Sequence, residues 1–149
     1  MATHATHKSW LRIAAVVIGF FGPVLTLATL PATNEPARFG LDVLTWPIDG
    51  FPDYSSEEIR FLSALAGGFL VGWGVTVWML SALVYDLAPE AVRRSVVTGA
   101  WAWFLFDSLG SVTSGQWPNV LWNILVLLAI VGPMWRPAHP STKAQGNPA

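Results

Sequence analysis

The chain has 149 residues, of which 53% are hydrophobic and 11% charged, with a net charge of −1 and a mean hydropathy of +0.49. Soluble domains carry about 25% charged residues, so one domain's length this depleted in charge points to an integral membrane protein. The chain contains no cysteine, which excludes disulfides, thiol catalysis, iron–sulfur ligation and covalent c-type haem attachment, and its charge leaves no basic surface for nucleic acid.

Residues 1–9 are small and polar and read as a disordered tail. His4 and His7 have a spacing that suits a metal on a helix, but no third ligand lies near them. A first span of about 10–30 follows, interrupted at Gly22-Pro23, where proline's missing N–H predicts a kink. The alternative is a cleaved signal peptide, with Lys8 and Arg12 in its basic region and Leu30-Pro31-Ala32 at its cleavage site; three spans would then remain.

The connection over 31–56 carries four prolines but also Phe39, Val43, Leu44, Trp46, Ile48 and Phe51. In ARFGLDVLTW, Phe39, Val43 and Trp46 share one helical face and Arg38, Asp42 and Thr45 the opposite one. This predicts a short amphipathic helix that lies in the headgroup region, apolar side down, or covers the other helices as a lid.

A second span of about 57–85 opens at SSEEIRF, where Ser55 and Glu58 fit a reciprocal capping box. Further on, Ala64, Gly68, Gly72 and Thr76 recur every four residues, a groove that lets another helix approach closely. The expected partner is a helix of the same chain. Pro89-Glu90 opens a third helix, since proline suits the first helical position and an acid the first turn. Its span covers about 95–112 and a fourth covers about 119–135. Residues 136–149 read as a second disordered tail. The four runs match a hydrocarbon core of about 30 Å, which takes roughly 17–25 helical residues.

Charge orients these spans. Lys8, Arg12, Arg93, Arg94, Arg136 and Lys143 flank one side, and only Arg38 and Arg60 lie on the other, beside Glu35, Asp42, Asp49, Asp53, Glu57 and Glu58. Positively charged flanks stay in the cytoplasm, which places both termini there and the loop over 31–56 outside.

The stretch WFLFDSLGSVTSGQWPNVLWN holds the one acid inside a span. A central Asp costs about 2.5–3.5 kcal/mol to insert, less near the edge, so Asp107 requires partners or protonation. Ser111 shares its helical face, and pairing of the third and fourth spans about Gln116 brings Asn123 to its depth. Arg60 and Thr26, at the outer ends of the second and first spans, are further candidates. The expected cluster is Asp107, Ser111, Asn123, Arg60 and Thr26. It reads either as an outward-facing polar pocket for a ligand, ion or proton, or as a structural network that fixes helix register at about 0.6–2 kcal/mol per contact.

Catalytic chemistry finds little support. No second carboxylate accompanies Asp107 for acid–base work, and no histidine falls inside a span to ligate haem or metal. The serines lack a histidine base, and the glycines at 67–74 lie in an apolar helix rather than a phosphate loop. No cofactor is expected.

In RFLSALAGGFLVGWGV and WFLFDSLGSVTSGQWPNVLWN the chain resembles a group of small bacterial inner-membrane proteins. In outline it is also similar to DoxX-like four-helix membrane proteins. The resemblance covers Arg60 to about Trp135 and implies a four-helix bundle in the bacterial cytoplasmic membrane, with no activity to carry over. The sequence thus predicts an all-α, integral membrane four-helix bundle with a short amphipathic helix in its first outer loop. It is expected to be non-enzymatic, embedded in the lipid bilayer, and either self-associating or an accessory subunit of a larger membrane complex. The alternative is a transporter or a lipid or small-molecule binder built on the Asp107 pocket.

Overall fold

The computed structural model describes residues 2–50 and 52–139. Phe51 of the expected lid, Lys143 and the expected tail beyond position 139 lie outside the described residues. Within them the chain is helical: α1 (His4–Leu27), α2 (Glu35–Thr45), α3 (Glu57–Met79), α4 (Pro89–Thr113) and α5 (Pro118–Val131). A π-turn, Leu80–Val84, extends α3, and short 3-10 turns cover Pro31–Thr33 and Gly132–Trp135.

Three stretches are long and apolar enough to cross a membrane: His4–Leu27, Glu57–Val84 and Pro118–Trp135. α4 is 25 residues long, which at about 1.5 Å per residue also suffices. It carries Glu90, Arg93, Arg94 and Asp107, however, and is not among the three.

Helix α1 begins at His4, not near Trp10. Thr3 caps it, its hydroxyl accepting from the Thr6 N–H at 3.2 Å, and the side chains of the first turn find partners across the molecule. His7 is 1% exposed and bonds the Pro133 carbonyl at 3.1 Å, while Lys8 pairs with Asp86. The expected mobility of 1–9 thus gives way to a docked helix start, met by the segment after α5 through the His139 N–H and the Ala2 carbonyl at 3.1 Å.

α1 packs along α3 and against α5, and α4 packs along α5. The main core lies toward the His4 end and is built from Leu11, Ile18, Val77, Tyr85, Val96, Ala100, Leu127, Ile130 and Met134. A smaller cluster of Ala28, Ala37 and Tyr54 lies at the opposite end, where α2 folds over α1.

The α1–α3 contact is made of backbone. A Cβ placed on Gly67 would stand 2.5 Å from Thr26 Oγ1 and 2.7 Å from the Gly22 carbonyl oxygen; on Gly74 it would stand 2.8 Å from the Ala15 oxygen. Gly68 and Gly72, by contrast, have nothing within 4 Å of such a Cβ. The intramolecular groove is therefore corrected: helices α1 and α3 meet through Gly67 and Gly74, seven residues and nearly two turns apart. The Ala64, Gly68, Gly72 and Thr76 stripe is turned away, with Gly68, Gly72 and Thr76 exposed.

Large apolar side chains cover the outside, among them Phe61 (67% exposed), Phe69 (69%), Phe106 (78%) and Leu128 (61%). Water does not tolerate so continuous an apolar surface on a monomer.

Candidate functional site

α4 and α5 form a hairpin through Ser114–Trp117, and Gly115 has the positive φ of +80° that glycine accommodates without strain. The hairpin places the first two turns of α5 beside the last two of α4. There Asp107 Oδ1 accepts from Asn123 Nδ2 at 2.7 Å and from Asn119 Nδ2 at 3.0 Å. Asn119 Nδ2 also reaches Ser111 Oγ at 2.9 Å, and Asn123 Nδ2 reaches Ser108 Oγ at 3.3 Å. Ser111 Oγ in turn donates to the Asp107 backbone carbonyl at 2.8 Å. Because a carboxylate only accepts, both amides turn their NH2 groups toward it.

Two of the expected residues, Ser111 and Asn123, therefore gather at Asp107, and two do not. The Arg60 guanidinium instead donates to the Tyr54 and Ser55 carbonyls, at 3.1 and 2.5 Å, folding back over the start of its own helix. That start is capped by Ser56, which accepts from the Ile59 N–H at 3.3 Å, while Glu58 accepts from the Ser56 hydroxyl at 2.7 Å. The cap thus lies one residue beyond Ser55, whose hydroxyl and N–H go to Asp53. Thr26 lies in the α1–α3 contact against Gly67. Asn119 was not among the expected residues. It stands four residues before Asn123 and so shares its helical face, a spacing that marks it in the sequence.

Above the cluster lies a cavity of about 360 Å³, lined by Asp107, Ser111, Ser114, Gln116 and Asn119 from the hairpin and by Leu41, Leu44 and Thr45 from α2. α2 is its roof, held to α5 by the Trp122 indole N–H, which donates to the Val43 carbonyl at 2.9 Å. The roof turns its polar side to the bundle: Phe39 (63% exposed) and Trp46 (51%) point outward, which leaves the apolar side free for the headgroup region, and Asp42 is buried. The physical reason is that the polar face has partners inside. Asp42 Oδ2 accepts from the Gly50 N–H at 2.9 Å, Arg38 donates to the Pro52 and Gly50 carbonyls at 2.9 and 3.0 Å, and Thr45 Oγ1 donates to the Leu41 carbonyl at 2.8 Å. The other oxygen of Asp42 is buried and has no partner among the described residues.

The donor and acceptor balance sets what the cavity can hold. The hydroxyl protons of Ser111, Ser114 and Thr45 are spent on backbone carbonyls. The amide protons of Asn119 are directed at Asp107 and Ser111. What remains are the lone pairs of Asp107 Oδ2, which has no partner among the described residues, of the Asn119 amide oxygen and of the serine and threonine oxygens, together with the side-chain amide of Gln116, which both donates and accepts. The one charge in this lining is the Asp107 carboxylate, which favours a positively charged donor. Among the described residues no group of three His, Asp or Glu is placed to hold a metal ion.

A second polar cluster lies at the opposite end, where α1 and α4 begin. His4 Nδ1 is hydrogen-bonded to the Tyr85 hydroxyl at 3.3 Å, and the π-turn delivers Tyr85 to the core, 2% exposed. Arg93 grips Glu90 through two bonds of 2.7 Å and donates to the Met134 carbonyl at 2.8 Å. Arg94 adds a third bond to Glu90 at 2.8 Å. These hydrogen bonds, Arg93's first, hold the Glu90 carboxyl well below its ordinary range, at about 2.

No family model matches the chain, and neither a characterised protein nor a solved structure matches it.

Proposed function

We propose that this chain is a four-span integral membrane protein that binds a small amine-bearing or otherwise cationic molecule, a lipid headgroup included, in the pocket between the α4–α5 hairpin and α2. The observation that carries the reading is the convergence of Asn119, Asn123 and Ser111 on one oxygen of Asp107, leaving the other without a partner among the described residues at the edge of a cavity. The role is binding or passage rather than chemistry, because the one carboxylate, Asp107, is held by two asparagine amides and no histidine or second acid lines the pocket to activate its serines.

Four spans with both termini in the bacterial cytoplasm fit the charge bias and the apolar exterior. The pocket then opens near the outer surface, with α2 as its lid. α4 tolerates its lower hydropathy in this arrangement because Arg93 and Glu90 lie at its cytoplasmic end and Asp107 is satisfied from α5.

A second reading is favoured by one specific observation. Among the described residues nothing packs on Gly68 and Gly72, and these two and Thr76 are exposed, which leaves the Ala64, Gly68, Gly72 and Thr76 face for a second copy or for a subunit of a larger complex. Native mass spectrometry of the gently extracted protein separates the two. A retained small molecule at one copy per chain supports the binder, and a second polypeptide with no small molecule supports the subunit and sinks the binder.

A further inference from the structure

A larger cavity, of about 730 Å³, adjoins the one above Asp107. Its walls are Trp46, Pro47 and Ile48, just past the end of α2, and Trp117 and Pro118 at the start of α5. The two cavities share Thr45 and Gln116, so a ligand of moderate size held at Asp107 extends into the larger one. Their chemistry differs. The smaller holds the carboxylate and the lone pairs of Asn119 and the serines. The larger is mainly aromatic and aliphatic, and its Trp46, Ile48 and Trp117 are 51%, 61% and 59% exposed.

Tryptophans near a membrane surface commonly serve as interfacial anchors. An anchor needs only lipid around it. Here two indoles from distant segments border one concavity, and that concavity adjoins an acid carried by an apolar helix. Indole faces accept both an apolar body and a neighbouring cation. Among the described residues neither lining contains an arginine or a lysine. A phosphate carried beside the ammonium would therefore meet no counter-charge and would be repelled by Asp107. A zwitterionic phospholipid headgroup fits poorly, whereas an ammonium with an uncharged aromatic or aliphatic body matches both cavities.

We propose, on the reading of the Asp107 cavity as a cation site, that the two cavities form one binding site for an amphiphilic, phosphate-free amine. Its ammonium lies at Asp107 Oδ2 and its apolar body lies against Trp46, Ile48 and Trp117.

The test is isothermal titration of the full chain in mild detergent with phenethylamine, ethylamine, phenethyl alcohol and phosphoethanolamine. Phenethylamine should bind saturably and at least about tenfold tighter than ethylamine, a gain that burial of about two methylene groups' worth of apolar surface supplies. Phenethyl alcohol, which keeps the ring without the charge, should bind about tenfold more weakly than phenethylamine, and phosphoethanolamine more weakly than ethylamine. Trp117→Ala and Ile48→Ala should each narrow the ratio between the two amines, whereas general damage would weaken both amines and keep the ratio. Ethylamine bound as tightly as phenethylamine, or a ratio unchanged in both variants, would overturn the inference and leave the cation site standing. Phosphoethanolamine bound tighter than ethylamine would overturn it in favour of a phospholipid headgroup. Phenethyl alcohol bound as tightly as phenethylamine, or no binding of either amine, would remove the cation site as well.

Discussion

Adding one methyl group to each glycine of α3 separates the two faces of that helix. At Gly67 the new Cβ would meet Thr26 Oγ1 at 2.5 Å, the Gly22 oxygen at 2.7 Å and the Thr26 nitrogen at 3.0 Å. At Gly74 it would meet the Ala15 oxygen at 2.8 Å and the Gly19 nitrogen and Cα at 2.9 Å. Most of these neighbours are backbone and cannot swing aside, so α1 and α3 must move apart. Overpacking of this kind costs about 1–3 kcal/mol, partly offset by the roughly 1 kcal/mol that alanine gains over glycine inside a helix. Gly68 and Gly72 face open space, so alanine there keeps only the gain. The gain is common to all four variants and cancels, so Gly67→Ala and Gly74→Ala should fall about 1–3 kcal/mol below Gly68→Ala and Gly72→Ala, a separation on the order of 2–12 °C in thermal midpoint for a chain of this size. Thermal unfolding in mild detergent, followed by tryptophan fluorescence, reads this directly. Equal midpoints for Gly67→Ala and Gly68→Ala would refute the assignment of the packing face.

The remaining predictions concern the sites and the topology. Asp107→Leu should destabilise by about 1–3 kcal/mol in chemical denaturation, because the amides of Asn119 and Asn123 lose their shared acceptor; a loss no larger than that of Asp107→Asn would contradict this. Glu90 has its carboxyl pKa depressed, so its stabilising contribution is complete above its ordinary value near 4.5 and is lost as pH falls toward about 2. The parent should therefore lose more thermal stability between pH 4.5 and 2 than Glu90→Gln does, and identical acid profiles would remove the Arg93–Glu90–Arg94 contact from the account. Reporter fusions at Asp49 and His139 should show an exported signal at the first and a cytoplasmic one at the second; an exported signal at His139 would overturn the orientation.

Helix existence was legible because each apolar run is long and bounded by a charge, a proline or a cap. The Asp107 cluster was legible for a related reason: one acid in an apolar helix must be satisfied, and a short hairpin leaves few residues at its depth. Arg60 misled because the sequence shows only that its long side chain can reach. It does not show that the Tyr54 and Ser55 carbonyls lie closer. The α3 stripe misled differently. Ala64, Gly68, Gly72 and Thr76 have a regular spacing, but α3 also carries Gly67 and Gly74, and only the partner's own Gly19 and Gly22 decide which set is buried. The inward turn of Asp42 and the docking of His7 depend on backbone carbonyls and N–H groups from distant segments, which no local pattern records.

The central claim is that the unpartnered oxygen of Asp107 holds a donor-bearing ligand under α2. The most direct measurement is the fraction of chains that retain a small molecule in native mass spectrometry, compared between the parent and Asp107→Asn. The amide keeps the shape of the side chain and can still engage Ser111 and Asn123, but it removes the charge. The account predicts a ligand mass on the parent and a loss of at least about tenfold in its occupancy in Asp107→Asn, at an unchanged thermal midpoint; by the relation between free energy and affinity this is about 1.4 kcal/mol. A parent that carries no small molecule, or a variant that retains it equally, would contradict the claim.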